Sequence, residues 1–425
     1  MTILVAISIL ITMLAVGLVA FFPVKLPFTW FLFFYVNFFV GTTYQMGLMP
    51  DKSDGLHFVA MVVGLVSYLS VACYVSLRLN LRKNRENFTE SSVIAVPVYM
   101  HVRVISFLIF SLGVSILYYV AVGKNLIWMI VSGIQFEDFS SERISMYSGK
   151  EYYYPGYVNQ FKNIIFPICM AYYILRRSIK RQPVILRLLI VIPLTIFILA
   201  GTGQRVYLVD SFLAISLSSY LIFGFTKRSK RILLLSFTGV FLSFAAMSYF
   251  YYSMEDQGLM VVVGKILARI FLVQQEGGLI GFHAVYDMPN ALLSEWGKSF
   301  AGILPSIKGS DLAHRIHEIM YGTYRGTVPV SHVGSAFLNG GLILVAAFFG
   351  LFGLFHTLLI NRLYKGPKSI IRCLCYGFVI HISSSSLSGG PFAYIDGGLL
   401  TIIILIGLVT KIAPIFEFSK RNLIT

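Results

Sequence analysis

At 425 residues, with 57% hydrophobic and only 12% charged side chains, the chain has about half the charge of a soluble globular protein, in which roughly one residue in four is charged. Together with a mean hydropathy of +0.79, this excludes an ordinary soluble fold and makes lipid the main solvent. The formal net charge of +16 would suit nucleic acid, but where that charge sits along the chain argues against such a partner.

A helix that crosses the hydrocarbon needs about 20 apolar residues. In chain order, such spans are expected near 3–22, 28–49, 56–77, 103–122, 161–175, 184–200, 206–225, 232–252, 332–360, 373–390 and 393–410. The first runs straight into apolar residues with no basic leader and no small-residue cleavage site, so it is expected to stay as a membrane helix. The expectation is an all-α polytopic membrane protein, a single integral membrane domain over 1–425 with about 11 (10–12) transmembrane helices. The stretches 124–134 and 258–273 are candidates for further or re-entrant pieces. Cys73, Cys169, Cys373 and Cys375 all fall in apolar segments, and Cys373-x-Cys375 is the wrong spacing for a redox or zinc motif. They are expected to be small buried apolar residues.

Lys and Arg set the orientation, because cytoplasmic connectors retain positive charge. One alternating set of connectors, including Arg78–Arg103, Arg176–Arg187, Lys227–Arg231 and Arg362–Arg372, holds 22 of the 34 basic residues and three of the 18 acidic ones. The positive charge is therefore a topology signal. It predicts an N-terminus outside and a C-terminus inside, with no inner connector long enough to bind a nucleotide. Two outer loops stand out, 123–160 and 253–331, and loops of this length are uncommon unless they are functional.

Several stretches could carry chemistry. Gly201-Thr202-Gly203-Gln204-Arg205 is a tight outer turn, and a guanidinium at a helix start suits a lipid-linked phosphate; a snorkelling Arg205 is the bland alternative. Asp210, more than one turn into the next span, would either pair with an arginine or position a sugar hydroxyl, since intramembrane carboxylates face polar cavities. The first loop joins Glu137, Asp138, Glu142 and Arg143 to Tyr147, Tyr152, Tyr153, Tyr154 and Tyr157. Such aromatic faces hold sugars or form an interfacial belt, and Arg143 is a second phosphate candidate. Lys265 and Arg269 share a helical face, either as an interfacial amphipathic helix or as a re-entrant one aimed at a pyrophosphate. Glu276, His283, Asp287 and Glu295 follow as possible bases. His314-Arg315-Ile316-His317-Glu318 lacks both the HExxH order and a distant third ligand, so no metal is expected there; a surface helix capped by Ser310 fits better. Arg315, Arg325 and His332 approach the membrane again and remain candidates for substrate contact.

Gly201–Arg205 running into a span, and His332-Val-Gly-Ser-Ala-Phe-Leu-Asn-Gly-Gly-Leu342 opening a later one, together with two large outer loops, resemble the O-antigen polymerase (Wzy) and oligosaccharide repeat-unit polymerase family. Asn339-Gly340-Gly341 lacks the aromatic residue that the family carries between Asn and Gly. The resemblance covers most of the chain as architecture and only these short stretches as sequence. It implies a GT-C-like fold in a bacterial inner membrane, with the loops in the periplasm. It also implies metal-independent transfer of a glycan from undecaprenyl pyrophosphate to another lipid-linked repeat unit, a chain-length regulator as partner, and no cofactor. Departure of the diphosphate calls for cations, for which Arg205, Arg143, Arg269 and Arg315 stand first and Arg325 and Lys265 behind. The acceptor hydroxyl calls for a base, for which Glu276 or His332 is preferred. An O-antigen ligase differs mainly in acceptor. A lipid-linked oligosaccharide flippase is the competing class, expected to carry more charge within its spans and shorter loops. An acyltransferase would want an inner-side histidine dyad, and the inner connectors offer only His101.

Overall fold

The structure, a computed structural model, describes residues 2–22, 24–91, 93, 98–132, 155–179, 185–204, 206–251, 259–268, 272, 274–302, 307–324, 327–328, 330–388, 394 and 398–411. Among these the regular structure is entirely helical. The helices are α1 (Thr2–Ala20), α2 (Leu26–Leu48), α3 (Asp54–Arg78), α4 (Leu81–Glu90), α5 (Val98–Val122), α6 (Leu126–Val131), α7 (Pro155–Asn159), α8 (Phe166–Ile179) and α9 (Ile185–Ala200). They continue as α10 (Val206–Phe223), α11 (Lys227–Tyr251), α12 (Leu259–Ala268), α13 (Gln274–Tyr286), α14 (Ser294–Ala301), α15 (Leu312–Tyr321), α16 (His332–Lys365), α17 (Ile370–Ser385) and α18 (Leu399–Lys411). A π-helical segment, Gln160–Ile165, joins α7 to α8.

Among the described residues five stretches, Ile3–Ala20, Asp54–Arg78, Tyr99–Val122, Val206–Phe223 and His332–Lys365, are long and apolar enough to cross a membrane, and Ile190–Ala200, Ile370–Ser385 and Leu399–Val409 are shorter apolar helices. The chain is a helical membrane protein. Of the stretch 124–134, the described residues 124–132 hold the six-residue α6, whose N-cap Asn125 accepts from the Trp128 amide. Within 258–273, α12 is an apolar ten-residue helix.

The chain divides into two compact units. The first comprises Met1–Glu90, Val263–Gly366 and Ser383–Ile395, and α3 packed along α16 is its spine. Small residues let these two backbones meet, the usual device where lipid supplies no hydrophobic drive between helices. A Cβ on Gly353 would stand 2.5 Å from the Tyr68 carbonyl oxygen. Aromatic rings fill the rest of that core, with Phe31 stacked on Tyr68 at 3.7 Å and His57 stacked on Phe282 at 3.9 Å. Between α1 and α2 lies an apolar cleft of about 750 Å³, lined by residues such as Val5, Val16, Leu32 and Val36 together with Leu272.

The break in α16 has a local cause. Gly340 and Gly341 leave helical geometry, with Gly341 at φ +62°, a region glycine enters without a Cβ clash. The carbonyls thereby freed are taken by the chain before α14: the Ala291 amide donates to Leu338 O at 2.8 Å and the Leu293 amide to Asn339 O at 3.2 Å. Asn339 reinforces the joint, donating to Ser335 O and accepting from the Trp296 amide, while the Trp296 indole donates to Ser335 Oγ at 2.8 Å.

The second unit comprises Ser91–Val262, Pro367–Ile382 and Asp396–Thr425. Here the expected span 161–175 is longer and not uniformly α-helical: the Phe166 amide bonds to Phe161 O, one residue beyond the α register. Pro167 explains this. It has no amide to bond back to residue 163, and its ring crowds that carbonyl, so the turn widens into a π segment, a feature frequent at functional sites.

Candidate functional site

The second unit brings the sharpest chemistry together at the turn Gly201–Gln204. Gly203 closes the turn at φ +74°, its amide donating to Ala200 O at 2.8 Å. Gly201 is required by crowding, since a Cβ there would meet Asn125 Nδ2 at 2.3 Å and Phe197 O and the Tyr119 hydroxyl at 2.5 Å. Three bonds pin the turn to α5 and α6: Leu126 N–H to Gly201 O at 2.8 Å, Tyr119 O–H to Ile198 O at 2.6 Å, and Asn125 Nδ2 to Phe197 O at 3.1 Å.

Against this turn the π segment delivers Lys162. Its side chain is wholly buried. Its Nζ lies 3.5 Å from Thr202 Oγ1 and 5.7 Å from the ring centres of both Tyr118 and Tyr119. No carboxylate lies within ion-pair distance of it among the described residues. Cation–π contact with two rings contributes about 2 kcal/mol when desolvated, against several kcal/mol for removing an ammonium from water, so its immediate surroundings under-compensate the charge. Next to Lys162, Asn163 Oδ1, and two residues after Thr202, Gln204 Oε1, are buried and have no hydrogen-bond partner among the described residues. The segment is held from its other side, where Thr401 Oγ1 donates to Gln160 Oε1 at 2.7 Å.

In the second turn of α10, Asp210 accepts from His381 of α17 at 2.9 Å. The carboxylate is about one-third exposed while the imidazole is fully enclosed. Among the described residues its partner is a histidine, where the sequence offered an arginine or a sugar hydroxyl. Gly377 sets the approach of the two helices, because a Cβ there would strike Ser218 Oγ at 2.1 Å. A carboxylate held by a buried imidazole, with an open edge, can accept a proton from a substrate hydroxyl.

The first unit holds two further polar groups. At the start of α3, Asp54 accepts from His283 of α13 at 2.9 Å and from the Asp51 amide, and Lys52 pairs with Asp287 at 2.8 Å. The hydroxyl and amide of Ser53 hold the Asp51 carboxyl below its usual range. Deeper in the unit, His356 of α16 bonds to the Tyr68 hydroxyl through Nδ1 at 2.8 Å and to Ser383 Oγ through Nε2 at 2.7 Å, all three fully buried.

The other residues singled out from sequence are scattered. Arg143, Arg205, Arg269 and Arg325 lie outside the described residues, as does the side chain of Lys265. Glu276 is half-buried in the first turn of α13. His332 is buried at the start of α16 between the rings of Phe348 and Tyr394. Arg315 pairs with Asp311 at 3.0 Å on exposed α15, and this contact draws the Asp311 carboxyl down against the opposing effect of burial. Ser310 accepts from the Leu312 amide and bonds to Glu295, while Asp311 occupies the N-cap position. On the same helix His314 stacks on Tyr324 and His317 bonds to Thr323 O. No cluster of three metal-ligating side chains occurs among the described residues.

Sequence reasoning passed over Lys162 and His381. The available signal for the first was a lysine five residues before an in-span proline. For the second it was a histidine inside a span that also carries serines. Fold and site define a helical membrane protein with a polar centre buried in its second unit. The chain matches no protein-family model, no curated protein and no solved structure.

Proposed function

We propose that the chain is a polysaccharide polymerase of the O-antigen type, transferring a glycan from undecaprenyl pyrophosphate onto another lipid-linked repeat unit without a metal or cofactor. In this reading about eleven helices cross the bacterial inner membrane in a GT-C-like arrangement, with the N-terminus and both long loops in the periplasm and the C-terminus in the cytoplasm. A chain-length regulator is the expected protein partner. The single observation that carries the proposal is the Asp210–His381 pair, which follows directly on the Gly201–Gln204 turn. His381 orients the Asp210 carboxylate; the carboxylate takes the acceptor hydroxyl's proton as the new glycosidic bond forms. The bond to the diphosphate breaks and its electron pair leaves with the diphosphate, whose charge cations stabilise. Among those cations, Arg205 is expected to be the most important, ahead of Arg143, Arg269, Arg315, Arg325 and Lys265.

The test is a deletion strain complemented by variants. Loss of the modal glycan ladder with single-unit-capped core, restored by the wild-type chain and not by Asp210→Asn or Arg205→Ala at equal protein level, supports the polymerase. Naked core with free polymer would instead mark a ligase. The buried Tyr68–His356–Ser383 line favours a second reading, a flippase for lipid-linked oligosaccharide, because titratable groups deep in a span mark transport paths. Lipid-linked units trapped on the cytoplasmic side of the deletion strain would support it.

A further inference from the structure

Lys162 is placed by a helix defect and enclosed by aromatic rings, and the described residues leave its charge short of partners. An ammonium has three N–H donors. Here the described residues offer one hydroxyl at the outer limit of hydrogen bonding and two ring faces. On the same two segments, the side-chain carbonyl oxygens of Asn163 and Gln204 are buried acceptors without donors among the described residues. Such groups are normally satisfied by protein, water or ligand. The unmet requirements are complementary: one anionic oxygen for the ammonium, and hydroxyl donors for the two amides. A sugar esterified to phosphate carries both.

We infer that Lys162, with Thr202, Asn163 and Gln204, forms the receptor for the diphosphate and first sugar of a glycosyl diphosphate. This assignment deepens the polymerase reading and rests on it for the identity of the donor, while the diphosphate site itself can be measured without any transfer reaction. The Gly201–Gln204 turn gives the receptor a rigid floor. The π segment carries Lys162, whose Nζ lies 3.5 Å from Thr202 Oγ1 of that turn.

The experiment uses the full-length protein in nanodiscs and three probes: geranylgeranyl diphosphate, inorganic pyrophosphate and uncharged geranylgeraniol. The wild-type chain is expected to bind the first, and Lys162→Met, close in shape and apolar, to bind it at least tenfold more weakly. Binding of pyrophosphate as tight as that of the prenyl form would mark a free-diphosphate site; preference for the prenyl form marks a lipid-linked one. Equal binding of geranylgeraniol, or unchanged affinity in Lys162→Met, overturns the inference. If Lys162→Met does not fold, Thr202→Val decides: weaker binding of geranylgeranyl diphosphate is expected, and unchanged affinity overturns the assignment. A deletion strain that keeps its glycan ladder, alongside lost diphosphate binding in Lys162→Met, would refute the polymerase and leave the site standing.

Discussion

Gly353→Ala is a stringent test of how the first unit is held together. The added Cβ would stand 2.5 Å from the Tyr68 carbonyl oxygen and 3.3 Å from the Ala72 nitrogen. Both obstacles are backbone, so no side chain can swing aside. Restoring an ordinary contact of 3.4 Å moves α16 from α3 by about 0.9 Å (3.4 − 2.5). The same movement carries the Tyr68–His356 bond, 2.8 Å long, beyond hydrogen-bonding range. Overpacking contributes about 1–3 kcal/mol and a stranded buried polar group about another 1–3 kcal/mol, so a loss of about 2–6 kcal/mol is expected. Gly350→Ala, one turn earlier on the same helix, is the control: its Cβ would meet only Val71 Cγ2, at 3.5 Å. Alanine's better helix propensity, about 1 kcal/mol, makes that change neutral or mildly stabilising. Denaturant titration of the purified protein in detergent compares the two. Equal midpoints for Gly350→Ala and Gly353→Ala would refute the close-approach argument.

Asn339→Ala removes the side chain that ties α14 to the broken start of α16, and should destabilise by about 1–2 kcal/mol; limited proteolysis is expected to cut within 294–301 faster than in the wild type. Leu292, exposed and at φ +45°, occupies the left-handed region at about 1–2 kcal/mol. Leu292→Asn, which tolerates that geometry, should raise the melting midpoint, and a lowered one would show that the leucine side chain is needed there. Asp51 has a depressed folded-state pKa, so its contribution is present above the ordinary value of 3.8 and fades as pH falls through the folded value. Asp51→Asn should therefore weaken the protein slightly at pH 7 and leave it unchanged well below pH 3.8, as thermal melts at both pH values will show.

Much of the fold was legible because lipid imposes a simple rule. Apolar runs of the right length predicted helices where α1, α3, α5, α10 and α16 lie, whereas the spans expected at 184–200, 373–390 and 393–410 emerged as the shorter helices α9, α17 and α18. The Asn339-Gly340-Gly341 stretch was visible as a motif, but its role depends on which backbone donors arrive at the freed carbonyls. Those come from Ala291 and Leu293, nearly 50 residues away, where no local pattern points to them. The consecutive left-handed leucines at 292 and 293 were equally hidden, since nothing in their type favours that conformation.

The site divides along the same line. The Gly201–Gln204 turn could be read from its glycines, whose necessity is local: one closes the turn and the other admits Asn125 and Tyr119. Lys162 could not be read that way. In composition a lone lysine at the edge of a span is a snorkelling residue, and its burial rests on residues distant in sequence, Tyr118, Tyr119 and Thr202. The histidine opposite Asp210 is 171 residues distant, on a helix that packs closely on α10 where Gly377 meets Ser218. An intramembrane carboxylate calls for a partner of either kind, cationic or hydrogen-bonding. Charge logic alone points to arginine, but a hydrogen bond from a buried histidine meets the same need.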